Sequence, residues 1–397
     1  MGFDLYAAGA GSKNVLDLKR RLGYDQLLSQ YTERKACIEW AEYKRAHPEC
    51  ASKLFIDSGA FTAFTKKKVV DVDDYIEFIN SIDDQVYIFA QVDKIPGEWG
   101  KERTPEQVAE APKLSWENYL YMVNKVKSPE KLLPIFHQGE DFSWLKNMLE
   151  YKYTEGPLKG QYIKYIGISC SKDITSTAWA PWFDICFKII HESNNPNVKT
   201  HAFGMTSLKL LEQYPFTSAD STSWVRSAGF GNIVLGGTTV YTSSRNPDDP
   251  GYIKNLSPAL KEDIDKICKK YGYSFFEVAD EATKEERVSL LGKINEYYNL
   301  FIEKFNKLVD NKAVNNIATE NIYMVDIKEN MLKAATSVIR AAGQTPEMTA
   351  LYKELEGNLD SVNGSGEIRC LFNLCSLKEW ANNYEYRGTD SFKEELW

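Results

Sequence analysis

Short apolar runs rich in β-branched and aromatic residues recur along the chain at 3–8, 53–57, 86–92, 132–136, 162–168, 200–203, 216–219 and 233–235. Runs of this length, bounded by polar or turn-forming residues, read as strands buried on both faces. Between them the apolar spacing changes to steps of three and four, which predicts helices within 15–30, 32–47, 73–82, 115–125, 143–150 and 207–214. Strand and helix in alternation predict parallel βα units. Eight strands, several followed by polar residues, predict an α/β chain folded as a (β/α)8 TIM barrel. A doubly wound open sheet is the rival. It lacks its usual support, because Gly9-Ala10-Gly11 has no third glycine of a dinucleotide loop and no Gly-Lys-Ser/Thr loop follows.

The stretch 243–258 is polar and turn-rich, with Pro247, Pro250, Gly251 and Pro258. It predicts a boundary between a barrel catalytic domain, 1–250, and a helical C-terminal region, 251–397. Within that region Leu291, Ile294, Tyr298, Phe301, Phe305 and Leu308 form one apolar stripe on a long helix, expected to serve as the last barrel helix. Another helix is predicted over 326–342. Thr345-Pro346 supplies the N-cap and first-turn proline of a third, ending near Gly357, and Asn363-Gly364-Ser365-Gly366 reads as a loop.

Composition narrows the class. A hydrophobic fraction of 43% and a charged fraction of 26% are those of a folded globular protein, and no apolar run is long enough to span a bilayer. The first residues lack the basic and apolar regions of a signal peptide, so a cytoplasmic protein without a membrane partner is expected. Seven scattered cysteines read as reduced thiols rather than a disulfide framework. A net charge of −8 argues against broad affinity for phosphate polymers but leaves room for a local basic surface.

Four polar residues follow four proposed strands: Asp57 in Phe55-Ile56-Asp57-Ser58-Gly59-Ala60-Phe61, Asp93 in Gln91-Val92-Asp93-Lys94, Gln138 in Phe136-His137-Gln138-Gly139, and Asp220 in Ser218-Ala219-Asp220-Ser221-Thr222-Ser223-Trp224. In a parallel barrel all four face one rim. Gly167 and the Gly204-Met205 pair would add close backbone approach and an apolar wall. Each Asp taken singly is more often a cap or turn former, His137 a support of the strand end, and Met205 a core residue.

Together these residues resemble the tRNA-guanine transglycosylase superfamily over roughly residues 50–230. That family's Asp-Ser-Gly-Gly-Phe-Gln motif is similar to Asp57-Ser58-Gly59-Ala60-Phe61-Thr62, and its Val-Gln-Gly-Gly segment to His137-Gln138-Gly139-Glu140. Its Arg six residues after the nucleophilic Asp is matched by Arg226 after Asp220. The resemblance implies a barrel enzyme that exchanges guanine for a 7-deazaguanine base. Asp220 would be the nucleophile and Asp57 the proton donor and acceptor. Ser58, Gly59, Phe61, Asp93, Gln138, Gly139, Gly167 and Met205 would bind the base.

The departures from the family are informative. The Cys-x-Cys-x-x-Cys zinc site of members that act on transfer RNA has no counterpart, so no metal or other cofactor is expected. Ser221 follows Asp220 where the family has Cys, and Thr62 replaces a Gln. The resemblance is therefore to a divergent, zinc-less member of the kind that modifies DNA in viruses and bacteria, with DNA favoured over tRNA as partner and a homodimer compatible with the family's habit. Lys66, Lys67, Lys68, Lys101, Arg103, Arg226 and Arg245 would line a phosphate track, unless each is simply a solvated loop charge. Trp99, Trp144, Trp179, Trp182 and Trp224 offer stacking surfaces or core. Two other functions use the same residues: an N-glycosidase that hydrolyses a nucleoside or nucleotide, and a barrel that binds a deazapurine or nucleotide without turnover.

Overall fold

The computed structural model describes residues 3–11, 13–171, 178–205, 207–242, 248–272, 284–309, 324–361 and 365–388. The chain divides into two compact units, Met1–Ser223 with Leu377–Trp397, and Trp224–Ser376, whereas the turn-rich stretch had suggested a division at residue 250.

The first unit is a parallel barrel. Its strands are β1 (Asp4–Ala8), β2 (Gln26–Ser29), β3 (Leu54–Asp57), β4 (Ile88–Ala90), β5 (Leu132–Leu133), β6 (Ile135–His137), β7 (Tyr165–Ser169), β8 (Lys199–Phe203) and β9 (Ser218–Ser221). They pair in the order β5-β4-β3-β2-β1-β9-β8-β7-β6. β5 and β6 are two halves of one stave interrupted by Pro134, which has no N–H to give to a ladder. The first half pairs with β4 and the second with β7, so nine short strands make eight staves and close the ring except at the proline.

The count of eight came from two errors that cancel. The run 26–29 lies inside the predicted 15–30 helix, but that helix is α1 (Lys13–Arg21), and Gly23, at φ +58°, turns the chain into β2. Leu27 follows Leu16 by about three helical turns, so periodicity could not separate the two elements. At the other end, the 233–235 run is not a stave. It belongs to β10 (Asn232–Leu235), antiparallel to β11 (Thr238–Tyr241) in the second unit. Gly236 and Gly237, at φ +52° and +84°, make the two-residue turn that such a hairpin requires.

The barrel interior is filled by Tyr6, Ala8, Leu27, Phe55, Ile88, Ala90, Leu133, Ile135 and Tyr165, with Phe203 packed against them. Alternation along each strand then fixes which later residues also face inward. Asp57 lies two residues beyond Phe55, and His201 two before Phe203.

Helices α2 (Gln30–Ala46), α3 (Ala60–Thr65), α4 (Val72–Ile82), α5 (Pro105–Val123), α6 (Phe142–Glu150), α7 (Trp179–Glu192) and α8 (Leu208–Gln213) follow the staves from β2 to β8, with α3 and α4 both after β3. The outer position after the last stave is held by the end of the C-terminal helix Ser365–Asn382 together with the residues after it. Phe3 donates its N–H to Ala381 O at 2.9 Å and packs on Trp380 and Tyr384. Trp380 Nε1 donates to Glu212 Oε1 at 2.9 Å, and Lys378 Nζ reaches Gly23 O at 3.5 Å, so this segment joins the ends of α1 and α8.

In the second unit, the β10–β11 hairpin packs with Ile253, Leu256, Ile264, Cys268 and Phe372. Asn373, fully buried, ties the unit together by accepting from Val234 N at 2.7 Å and donating to Trp224 O at 3.0 Å. The apolar stripe expected to complete the barrel has other partners. Tyr298, Phe301 and Phe305, on the helix Lys284–Leu308, pack against Met331, Ala335 and Ile339 of Met324–Ala341 and against Met348, Leu351 and Leu355 of Pro346–Ser361. Thr345 caps the last of these, accepting from Met348 N, and that helix runs past Gly357 to Ser361. Ser365 and Gly366, read as loop, open the C-terminal helix; Asn363 and Gly364 lie outside the described residues. The side chains of Leu291 and Ile294 also lie outside them.

Candidate active site

Asp57 ends β3 and sits half-buried at the C-terminal rim of the barrel. Its Oδ2 accepts from Gly59 N at 2.9 Å. Gly59 is required twice: its φ is +76°, and a Cβ there would lie 2.4 Å from Tyr31 Cβ and 2.6 Å from Ser29 Oγ. Ser58 is buried and serves the turn, its Oγ accepting from Ala60 N at 3.4 Å and its carbonyl from Gln30 Nε2. Burial pushes the Asp57 carboxyl up to about 7; the Gly59 N–H works against this, and the negative charges of Asp220, Asp93 and Glu33 add to it.

Asp220 lies on β9, in register with Tyr6 of β1, and is 7% exposed. Its Oδ1 accepts from Gly204 N at 2.7 Å and faces His201 Nε2 at 3.3 Å. No described residue bonds Oδ2. His201 is fully buried inside the barrel among the rings of Tyr6, Phe55 and Phe203. Its Nδ1 lies 2.6 Å from Ser218 Oγ, which in turn meets the Tyr165 hydroxyl. With hydrogen on Nε2 the chain has one consistent direction, Tyr165 to Ser218 to His201 to Asp220, every donor pointing toward the carboxylate.

Across the rim, Asp93 Oδ1 accepts from Gln91 Nε2 at 2.6 Å, and Oδ2 lies 3.3 Å from His137 Nε2. The other ring nitrogen of His137 lies 3.1 Å from Glu140 Oε1. Burial alone would favour the neutral ring, but Asp93 and Glu140 outweigh it and hold the imidazolium up to about 10. Asp93 is therefore one member of an Asp–His–Glu triad and not a solitary carboxylate. Gly139, at φ +103°, makes the turn that brings Glu140 back to His137. Gln138 is half-buried; its Oε1 accepts from Ser171 N at 3.1 Å, leaving the Nε2 amide with no partner among the described residues.

Several expected contributors sit elsewhere. Gly167 is a mid-strand residue of β7 and its N–H donates to Pro134 O at 2.7 Å, so it cannot read a ligand with that group. Its missing Cβ matters differently, because a methyl there would lie 2.5 Å from the Phe203 ring. Met205 is buried, and the inward side chain near the end of this stave is Phe203. Phe61 is 43% exposed on α3, edge-on to Trp99 at 6.2 Å. Lys66, Lys67 and Lys68 form an exposed turn after α3. Lys101 is paired with Glu98 at 2.6 Å, and Arg103 is exposed. Arg226 is exposed on the helix Ser223–Gly229 and belongs to the second unit, and Arg245 lies outside the described residues. Trp182 and Trp224 are core, Trp144 and Trp179 half-buried, and Trp99 is 47% exposed.

Residue patterns did not single out His201, Glu33, Phe203 or Ser29. Glu33 interrupts α2 with φ −129°, and its two oxygens accept from Ala10 N at 2.7 Å and Ser29 N at 3.2 Å, which fixes the loops after β1 and β2 beside Asp57. Strand parity was the available signal for His201, since it shares a face with Phe203.

The rim thus joins a carboxyl that exchanges its proton near neutrality to a buried carboxylate fixed through one oxygen, with an acceptor and an amide donor opposite. Such a set suits general acid–base work combined with nucleophilic attack. No helix among the described residues is long and apolar enough to cross a membrane. Neither protein-family models nor curated proteins give a match to the chain.

Proposed function

We propose that the barrel is a base-exchange transglycosylase that replaces guanine in a nucleic acid, DNA in preference to tRNA, with a 7-deazaguanine through a covalent aspartyl-glycosyl intermediate. The observation that carries this reading is the pairing of Asp57, poised at about 7, with Asp220, whose Oδ1 is held by Gly204 and His201 while Oδ2 has no hydrogen-bond partner among the described residues.

The chemistry balances across two half-reactions. Asp220 Oδ2 attacks the anomeric carbon as its bond to the base nitrogen breaks, and Asp57 delivers its proton to the departing base. Asp57, now ionised, takes a proton from the incoming base, whose nitrogen displaces Asp220 and restores the carboxylate. The guanine edge carries N–H donors beside a carbonyl. Asp93 accepts from the donors and the Gln138 amide donates to the carbonyl.

The test is incubation with radiolabelled guanine and with a 7-deazaguanine, using DNA and transfer RNA as separate acceptors. Label in DNA, abolished by Asp220→Ala in a folded variant, is the expected result. Free guanine released without incorporation would make the protein a hydrolase instead. Tight base binding that survives Asp220→Ala, with neither release nor incorporation, would make it a binding barrel.

A further inference from the structure

Phe61 and Trp99 are 43% and 47% exposed, yet they are ordered against each other, with ring planes at 87° and centroids 6.2 Å apart. Phe64 supports the same indole from a second side at 6.1 Å. The chain thus holds two large rings in a fixed arrangement while leaving much of their area in water, which a core does not need. Both follow catalytic-rim residues directly: Phe61 is on α3, just after Asp57, and Trp99 is in the loop after Asp93.

Charge beside this pair is also preset. The turn closing α3 carries Lys66, Lys67 and Lys68, all exposed. Their N–H groups donate back to Ala63, Phe64 and Ala63 at 3.0, 2.9 and 2.9 Å, and Lys67 takes a left-handed φ of +55° that a side chain adopts only at a cost. No carboxylate pairs with any of the three among the described residues. The nearby Glu98 is paired with Lys101 and feels the charge of Lys67 at longer range, and Lys66 Nζ lies 5.7 Å from the centre of the Tyr31 ring.

We propose that Phe61, Trp99 and this lysine turn seat the unstacked nucleotide adjoining the one held at Asp220, the rings stacking on its base and the lysines meeting flanking phosphates. The proposal rests on the nucleic-acid reading above and adds where the strand runs and what its neighbouring base touches. Aromatic rings beside unpaired cations are the general equipment for single-stranded nucleic acid, since every base has a face to stack and every linkage a charge to neutralise.

The test measures binding of a fluorescein-labelled single-stranded oligodeoxynucleotide by anisotropy at several salt concentrations, with free guanine binding measured alongside. Trp99→Ala should weaken oligonucleotide binding about 5- to 100-fold, as expected for loss of one stacked base. Guanine binding should not change. The triple change of Lys66, Lys67 and Lys68 to Gln should lower the slope of log affinity against log salt by about 2, the value for three phosphate contacts on a single strand. Unchanged oligonucleotide affinity and slope in these variants, with base exchange intact, would overturn this seat and leave the enzymatic reading standing. Failure of the unaltered protein to bind any oligonucleotide would overturn both. Loss of self-association in Trp99→Ala, with oligonucleotide affinity retained, would assign the aromatic pair to contact between copies of the chain and overturn the proposal.

Discussion

His201 Nε2 stands 3.3 Å from Asp220 Oδ1, and the two are joined inside the barrel by a strand pairing that aligns His201 with Ser218 and Ala202 with Ala219. The bond restrains the carboxylate from below while Gly204 N restrains it from the loop side. His201→Phe should remove one donor and leave Ser218 and Tyr165 with a broken chain, lowering the rate of adduct formation at Asp220 by about 10- to 100-fold, the equivalent of one hydrogen bond to a charged group. His201→Gln keeps a donor within reach of Asp220 and should recover part of the loss. Mass spectrometry of the trapped glycosyl-enzyme measures both. Equal adduct rates in the Phe variant and the unaltered protein would show that the histidine has no part in positioning Asp220.

The triad of Asp93, His137 and Glu140 leads to a stability prediction. The folded chain raises His137 from an ordinary 6.5 to about 10, so the stability it contributes is complete below about 6.5 and is lost as pH climbs toward 10. His137→Gln leaves two carboxylates facing each other without a cation and should cost about 1–3 kcal/mol at pH 7, less than a fully buried pair because the ring is partly exposed. Urea unfolding of the two proteins at pH 7 and pH 10.5 tests this: the gap should shrink at the higher pH. A gap independent of pH would rule out a charged His137.

What the sequence made legible follows the physics of each signal. Strands such as Leu54-Phe55-Ile56, buried on both faces, announce themselves as uninterrupted apolar runs, and the turns that carry Asp57 and Asp220 announce themselves by small residues after such runs. β2 was hidden because Leu27 falls in helical phase with Leu16 of α1, and only Gly23 marked the break. The β10–β11 hairpin was hidden because half of it imitates a barrel strand. The site's polar interior was less visible still. His201 and Ser218 read as ordinary members of apolar strands, and their meeting depends on the register between β8 and β9. Glu33 reads as one more charge on a helix until tertiary contact brings it to Ala10 and Ser29.

Gly167 and Phe203 fill one space between them, so their substitutions should not be additive. Gly167→Ala would put a methyl 2.5 Å from the Phe203 ring and 2.8 Å from Leu133 Cδ2, and should destabilise by about 1–3 kcal/mol through overpacking. Adding Phe203→Leu should relieve most of that penalty. Thermal melts of the two single variants and the double variant complete the cycle. Strict additivity would mean that the ring moves freely out of the way.

Asp57 should govern both stability and turnover as pH changes. Its carboxyl is raised from 3.8 to about 7 in the folded chain, so the native state holds a proton that the unfolded chain has released between those values. Stability therefore falls as pH rises through about 4 to 7 and is flat above. Asp57→Asn removes that slope and should be more stable, relative to the unaltered protein, at pH 8 than at pH 4. In the proposed exchange the same group would have opposite duties in the two half-reactions. Release of the first base needs the protonated form and should decline above about 7, while capture of the second base needs the ionised form and should decline below it, so complete exchange peaks near neutrality. Asp57→Asn should reduce exchange by about 100- to 10,000-fold. Single-turnover release of base measured from pH 5.5 to 8.5 separates the limbs, and a release rate that stays level across that range would remove Asp57 from the role of acid.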